Sequence, residues 1–259
     1  MRLWLQLIRW VNYAATGLSI RLTRWTGKSR EYIHPKHLLD YADHHWYLRY
    51  LRPGDTVLDV GCGNGMHSLR AASNGRRVIG FDYDVRSLAV AQRLSVGSDD
   101  YTFFFCGNAE QPFPLPDSIF DCVLFLDVLE HLDERDRALR EIYRVLKDEG
   151  LMLLSVPNAE TSWKRRLKAA RLFYYSDPDH KVEYTPETLR DELARNGFEI
   201  VSEMMPIVYD TPWAGLIDLV GGISLRVYQR LAKWKRDMAR RYPEESIGWR
   251  VVCRKRDVQ

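Results

Sequence analysis

Through the middle of this chain, short β-rich runs alternate with stretches of helical spacing, and that alternation limits the fold more than any other feature. Thr56–Val60, Arg77–Phe81, Tyr101–Phe105, Phe120–Leu126 and Leu151–Val156 read as buried strands. Between them, Met66–Ser73, Val85–Val96 and Glu134–Leu146 carry apolar residues at helical intervals. Such alternation builds a parallel sheet with helices on both faces. Ligands of these sheets bind beyond the carboxyl ends of the strands, near the point where strand order reverses. Further on, Thr185 is a fitting N-cap and Gly197 a fitting stop for a helix over Pro186–Asn196. Strands are expected at Phe198–Met205 and Trp249–Arg254, with a long helical insert from Trp213 to Arg241 between them. At 259 residues the chain suits one large α/β domain with decorations. The expected division is a basic segment over 1–30 and a domain over 31–259, with the insert at about 207–245.

The run Val57–Gly65 (VLDVGCGNG) sets Gly61, Gly63 and Gly65 directly after a strand and before a helix. Glycines there allow tight turning and close approach of backbone to a ligand. Dinucleotide-binding folds use a glycine loop in the same position, but the spacing here is GxGxG, with Met66 where their third glycine would stand. Asp59 lies two residues before the first glycine. A carboxylate there would repel a pyrophosphate and favour a sulfonium amino acid.

With these residues in view, the chain resembles the class I S-adenosylmethionine-dependent methyltransferases of the ubiquinone/menaquinone-biosynthesis type. VLDVGCGNG matches the first motif of that family, and the resemblance runs through Thr56–Asn158 with several motifs in order. It implies a Rossmann-like seven-stranded sheet whose last strand is antiparallel, and S-adenosyl-L-methionine as cofactor. By the same resemblance Asp59, Gly61, Cys62, Gly63 and Gly65 line the cofactor. Asp82 would accept from the ribose hydroxyls and Tyr83 would pack on the adenine. Asn108, Ala109 and Glu110 fall where the adenine edge is read, and Asp127 at the exit of the fourth strand faces the cofactor region. Each also has a plainer role: Asp82 as a helix cap, Asp59 as a holder of loop amides, Glu110 as a solvated charge, Cys62 as a small packing residue.

Methyl transfer from a sulfonium is an in-line displacement, and an oxygen or nitrogen nucleophile needs a base for its proton. His131, closing DVLEHL, and His180, in DPDHKVEYT, both fall in loops expected to follow strands and are the candidate bases. His44 and His45 are expected in a helix ahead of the first strand, where surface histidines are the simpler account. The fourth strand runs into Asp127-Val128-Leu129-Glu130, not the D/N-P-P-Y pattern of amino-group methyltransferases of nucleic acids, and DNA is not expected as a partner. Spacing along the chain presents no metal-ligand cluster.

Charge is distributed unevenly although the net is only +3. Arg2, Arg9, Arg21, Arg24, Lys28 and Arg30 occupy a stretch with no acidic residue. Lys164–Arg171 and Arg226–Arg241 are similarly basic, so three segments hold nearly half of the 38 basic residues. On a helical wheel Leu3, Trp4, Leu7, Ile8, Val11, Ala14, Ala15, Leu18 and Leu22 share one face, and Arg2, Gln6, Arg9, Asn12, Thr16 and Ser19 lie opposite. Such a helix, with Trp4, Trp10 and Trp25, suits an anionic membrane interface. Packing on the sheet, or on a second copy in a homodimer, fits the same pattern.

Cys62, Cys106, Cys122 and Cys253 lie far apart with no CxxC pair, which suits a reducing cytoplasm. Arginines interrupt the N-terminal apolar run, so neither a spanning helix nor a secretory signal is expected. The expectation is a methyltransferase acting on a small-molecule or lipid-like acceptor at oxygen, in the cytoplasm and on the inner face of the membrane. An RNA methyltransferase, a non-catalytic S-adenosylmethionine-binding subunit and a nicotinamide oxidoreductase stay open as alternatives.

Overall fold

The computed structural model describes residues 2–30, 32–39, 45–96 and 101–256. His44 lies outside the described residues. The chain forms two compact units, one from 45–157, 177–205 and 250–259, the other from 1–44, 158–176 and 206–249.

In the first unit the strands are β1 (Thr56–Val60), β2 (Arg77–Asp82), β3 (Tyr101–Cys106), β4 (Phe120–Leu126) and β5 (Leu146–Pro157). They are followed by β6 (Phe198–Ile200), the two-residue β7 (Met205–Pro206) and β8 (Gly248–Lys255). The sheet order is β3-β2-β1-β4-β5-β8-β6, with β7 paired to β8 off this path. Strands β1 to β5 pair in parallel, and β8 runs antiparallel to β6. Order reverses at β1, which lies between β2 and β4, so a crevice is expected at its carboxyl end. Val57, Leu58 and Val60 are fully buried, as are Phe120, Leu124 and Phe125 of β4. These continuous apolar runs are what a sheet covered on both faces requires.

The connecting helices of this unit are α2 (Met66–Ala72), α3 (Val85–Ser95) and α4 (Arg135–Val145). Strands β1 and β4 fall where the sequence puts them. Strand β5 begins five residues earlier than expected, because Leu146 pairs with Phe120 before a register shift brings Leu151 opposite Cys122. Ahead of β1 the expected helix around His45 is a 3-10 turn, Trp46–Tyr50. Pro53 follows closely, and the residue before a proline is disfavoured in the α region. The expected strand Phe198–Met205 stops at Ile200, where the Ser202 hydroxyl accepts from Val252 N–H at 3.0 Å and takes the place of a ladder carbonyl.

The second unit holds α1 (Arg2–Trp25), α5 (Ser162–Ala169), α7 (Ala214–Ile223) and α8 (Leu225–Arg241); α6 (Pro186–Arg195) belongs to the sheet unit. The expected helical insert is two helices divided at Ser224, which is extended, closes α7 and caps α8 by accepting from Val227 N–H. The buried stripe of α1 is Leu5, Ile8, Ala15, Ser19 and Thr23; it shares Ile8 and Ala15 with the apolar face of the wheel but leaves out most of the bulky residues of that face. Leu3 is 82% exposed and Trp10 67%, while Ser19, assigned to the polar side, is fully buried. The reason is close approach to α7. A Cβ on Gly215 would clash with the Asn12 carbonyl, and one on Gly222 would meet Leu22 Cβ at 2.7 Å and the Ser19 carbonyl at 2.9 Å. Backbones that near admit only small residues between them. Gly215 N–H then donates to Asn12 Oδ1 at 2.8 Å, and the Asn12 amide donates to the Pro212 carbonyl. Leu5 packs with Leu167 and Leu172 instead. Among the described residues no helix is long and apolar enough to cross a membrane.

Candidate functional site

Every residue expected around the cofactor lies at, or just beyond, the carboxyl end of β1, β2, β3 or β4. The loop after β1 turns through three left-handed glycines, Gly61 (φ 72°), Gly63 (φ 52°) and Gly65 (φ 75°). Two are also held by crowding: a Cβ on Gly61 would lie 2.5 Å from Val128 Cγ2, and one on Gly65 2.7 Å from Ala91 Cβ. Gly63 differs, because a Cβ there would meet nothing within 4 Å. It borders open space.

Four amides of this loop are already engaged. Gly61 and Cys62 N–H both donate to the Phe81 carbonyl, at 2.9 and 3.0 Å, and Gly65 N–H donates to the Cys62 carbonyl at 2.9 Å. Gly63 N–H donates to Asp82 Oδ2 at 2.8 Å. A pyrophosphate would find few donors in such a loop, unlike the open amides of a phosphate cradle. Asp82 also accepts from Asp84 N–H through Oδ1 at 2.9 Å, which fixes the carboxylate at the end of β2.

Asp59 is 3% exposed and accepts from the Ser68 hydroxyl of α2. Burial pushes its carboxyl up to about 7; the Ser68 bond opposes this and nearby Asp82 adds to it. Cys62 packs with Leu88, Ala91 and Phe104, and burial raises its thiol. Tyr83 is 80% exposed beside Asp82. After β3, Gly107 N–H donates to the Asp82 carbonyl at 3.0 Å, and the Asn108 side chain accepts from Glu110 N–H at 2.8 Å. Ala109 is buried in the same turn. Glu110 has a job the sequence did not suggest: its Oε1 accepts from Asp133 and Glu134 N–H at 2.7 and 2.8 Å, closing the entry to α4. Asp127 has φ 56°, an uncommon backbone for a non-glycine residue, and accepts from Ser155 Oγ at 2.7 Å.

His131 and His180 are brought together, their rings 4.7 Å apart and edge-to-face. Burial lowers the His131 pKa, and His180 lowers it further. His180 Nδ1 lies 2.9 Å from Glu183 Oε1. Glu130, between Leu129 and His131, is 2% exposed, and its Oε2 has no hydrogen-bond partner. The backbone seals this corner, with Lys181 N–H donating to the Glu130 carbonyl at 2.7 Å. Spacing along the chain presents no metal-ligand cluster, but the fold brings Glu130, His131 and His180 together, each offering a possible ligand atom, all within 4.8 Å of one another. Linear spacing hides the group because one loop follows β4 and the other precedes α6. Glu130 and Glu183 were not anticipated; an acidic residue inside the apolar run DVLEHL was the available signal. His45 lies apart from these, 3.2 Å from the hydroxyl of the buried Tyr47, which also meets His67 Nδ1 at 3.0 Å.

Residues 58–154 match a family model described as a methyltransferase domain. A Mycolicibacterium smegmatis protein described as a probable S-adenosylmethionine-dependent methyltransferase is 33% identical over 147 residues, 57% of this chain and 53% of that protein. The ubiquinone biosynthesis O-methyltransferase of Pseudomonas paraeruginosa is 33% identical over 136 residues, 52% of this chain and 58% of its own length. The chain thus spans about half the length of the curated relatives it matches. A solved S-adenosylmethionine-dependent methyltransferase from Methanosarcina mazei shares the fold, with a TM-score of 0.57 at 21% identity, over 84% of this chain and 99% of that one. Motif order, strand order and these matches agree: over residues 58–154 the chain carries a domain of the class I S-adenosylmethionine-dependent methyltransferase family.

Proposed function

We propose that this chain binds S-adenosyl-L-methionine at the carboxyl ends of β1 to β4 and transfers its methyl group to an oxygen of a small-molecule or lipid-like acceptor. The observation that carries the reading is the glycine loop, whose amides are satisfied internally while the carboxylates Asp59 and Asp82 stand beside it. Such a site suits a cation flanked by a ribose better than a pyrophosphate. Gly63 leaves room against the backbone, Asp82 accepts from the ribose hydroxyls, and Tyr83, Asn108 and Ala109 border the adenine. Asp59 is drawn into its ionised form by the sulfonium.

In the reaction an acceptor oxygen forms the bond to the methyl carbon as the carbon–sulfur bond breaks, and the cofactor leaves as a neutral thioether. The acceptor proton passes to an imidazole of the His131–His180 pair. The lowered pKa of His131 keeps it neutral, as a base must be. Preference for oxygen leans on the ubiquinone biosynthesis O-methyltransferase among the relatives. The chain acts in the cytoplasm at an anionic membrane face. That finer part rests on α1, whose Leu3, Trp4, Leu7 and Trp10 are exposed among arginines.

The test is incubation with cofactor labelled in the methyl group and fractionated extract. Label in an apolar or small-molecule fraction, released by cleavage of an ether or ester, supports the reading. Label in RNA, or binding of NADH without S-adenosylmethionine, overturns it. Cofactor binding without turnover in any fraction favours a non-catalytic subunit. Co-sedimentation with anionic vesicles that survives deletion of residues 1–26 removes the membrane part.

A further inference from the structure

The corner formed by Glu130, His131 and His180 has the makings of a cation site. Three donors of the kinds that borderline divalent ions take, two imidazoles and one carboxylate, lie within 4.8 Å of one another. Donors around a tetrahedral ion stand about 3.3 Å apart, so small side-chain adjustments would close the set. A second observation points to a missing partner. Glu130 Oε2 is buried and unpartnered, and such an oxygen is costly to leave bare. A third concerns the surroundings. Glu183, whose side chain is fully buried, holds His180 Nδ1 at 2.9 Å. An imidazole that donates Nδ1–H to a carboxylate keeps its lone pair on Nε2, the arrangement that orients ligating histidines. Asp127, Asp177 and Glu183 add negative potential around Glu130.

We infer that Glu130, His131 and His180 bind a divalent cation of the zinc class, with Glu183 as the outer partner that fixes His180. Three protein ligands leave a coordination position open, as in catalytic zinc sites. The site stands whether or not the chain transfers a methyl group. Where it does, the two imidazoles and Glu130 would hold the ion, and the ion would supply the Lewis acidity that eases loss of the acceptor proton.

The experiment takes the full chain, strips it with a chelator, and titrates it with Zn²⁺ by calorimetry and with Co²⁺ by visible absorption. One equivalent bound per chain, with the Co²⁺ spectrum of a low-symmetry nitrogen and oxygen site, is expected. Glu130→Gln and His180→Gln should each abolish the tight equivalent, and Glu183→Gln should weaken it by roughly tenfold to a hundredfold. Asp133→Asn, a change at a nearby exposed carboxylate, should leave it unaltered. Circular dichroism of the same samples separates loss of the ion site from loss of the fold, and S-adenosylmethionine calorimetry reports the cofactor site separately. No stoichiometric binding, or binding indifferent to all three ligand-side changes, overturns the inference. Failure of cofactor binding alone bears only on the methyltransferase reading.

Discussion

The sheet of one unit and the α1–α7 contact of the other are packed by opposite rules. In the sheet unit bulky residues go inside: Leu58, Phe120, Leu124 and Phe125 are fully buried, and glycines serve the turn after β1. In the helical unit α1 meets α7 where Asn12 faces Gly215 and where Ser19 and Leu22 face Gly222; Leu3, Trp4, Trp10 and Trp25 of α1 face outward, while Leu5 and Ile8 are buried. The first arrangement draws its stability from buried apolar area, the second from close contact of backbones and a few hydrogen bonds such as Gly215 N–H to Asn12. A hydrophobic pattern reports bulk, so it is a reliable guide only where bulk is what gets buried.

The sharpest way to break that comparison is Gly61→Ala. It adds strain at φ 72° and drives a methyl into Val128, and should cost about 3 kcal/mol or more in urea unfolding. Gly63→Ala carries the backbone strain without the clash, and should cost about 1 kcal/mol while weakening cofactor binding. In the helical unit Gly215→Ala forces α1 and α7 apart. A loss of about 2 kcal/mol, seen as earlier thermal unfolding of helix by circular dichroism, is expected with cofactor affinity kept. If cofactor affinity falls equally, the two packing schemes are not separable.

Asp82→Asn removes a charged acceptor but leaves an oxygen for Gly63 N–H. Cofactor affinity by calorimetry should drop about tenfold or more. Asp59 sharpens the same point through pH. Its folded pKa is raised to about 7, and a bound cation favours the ionised form, so affinity is full above pH 7 and declines as pH falls below it. About a tenfold loss between pH 8 and pH 6 is expected, and Asp59→Asn should flatten that profile. The smallest effect belongs to the exposed arginines of α1. Arg24→Gln should weaken binding to anionic vesicles by about fivefold at most, and high salt should mask the change.

The sheet was legible because its signals are local. Thr56–Val60 and Phe120–Leu126 are bounded by turn residues and fall at their expected limits. The glycine loop was legible because backbone turning and residue type coincide there. Two kinds of feature escaped. Glu110 reads as an adenine-side residue, and its carboxylate also closes the start of α4, a partnership across the fold that no spacing reports. Glu130 and Glu183 meet His131 and His180 only once the loop after β4 lies against the one before α6. On α1 the buried stripe overlaps the apolar face of the wheel only at Ile8 and Ala15, since the wheel weighs hydrophobicity and not the distance at which Gly215 and Gly222 let a neighbour pass.

The internally satisfied loop after β1 has a consequence for turnover. Because Gly61, Cys62, Gly63 and Gly65 already have acceptors within the protein, the loop sheds no hydrogen bonds when its occupant departs. In the proposed cycle the incoming cofactor is a cation at sulfur and the outgoing one is neutral there. The loop then treats fresh and spent molecules alike, and Asp59 registers the difference between them. Exchange of one for the other is governed by a single charge, with no refolding of the loop that holds it.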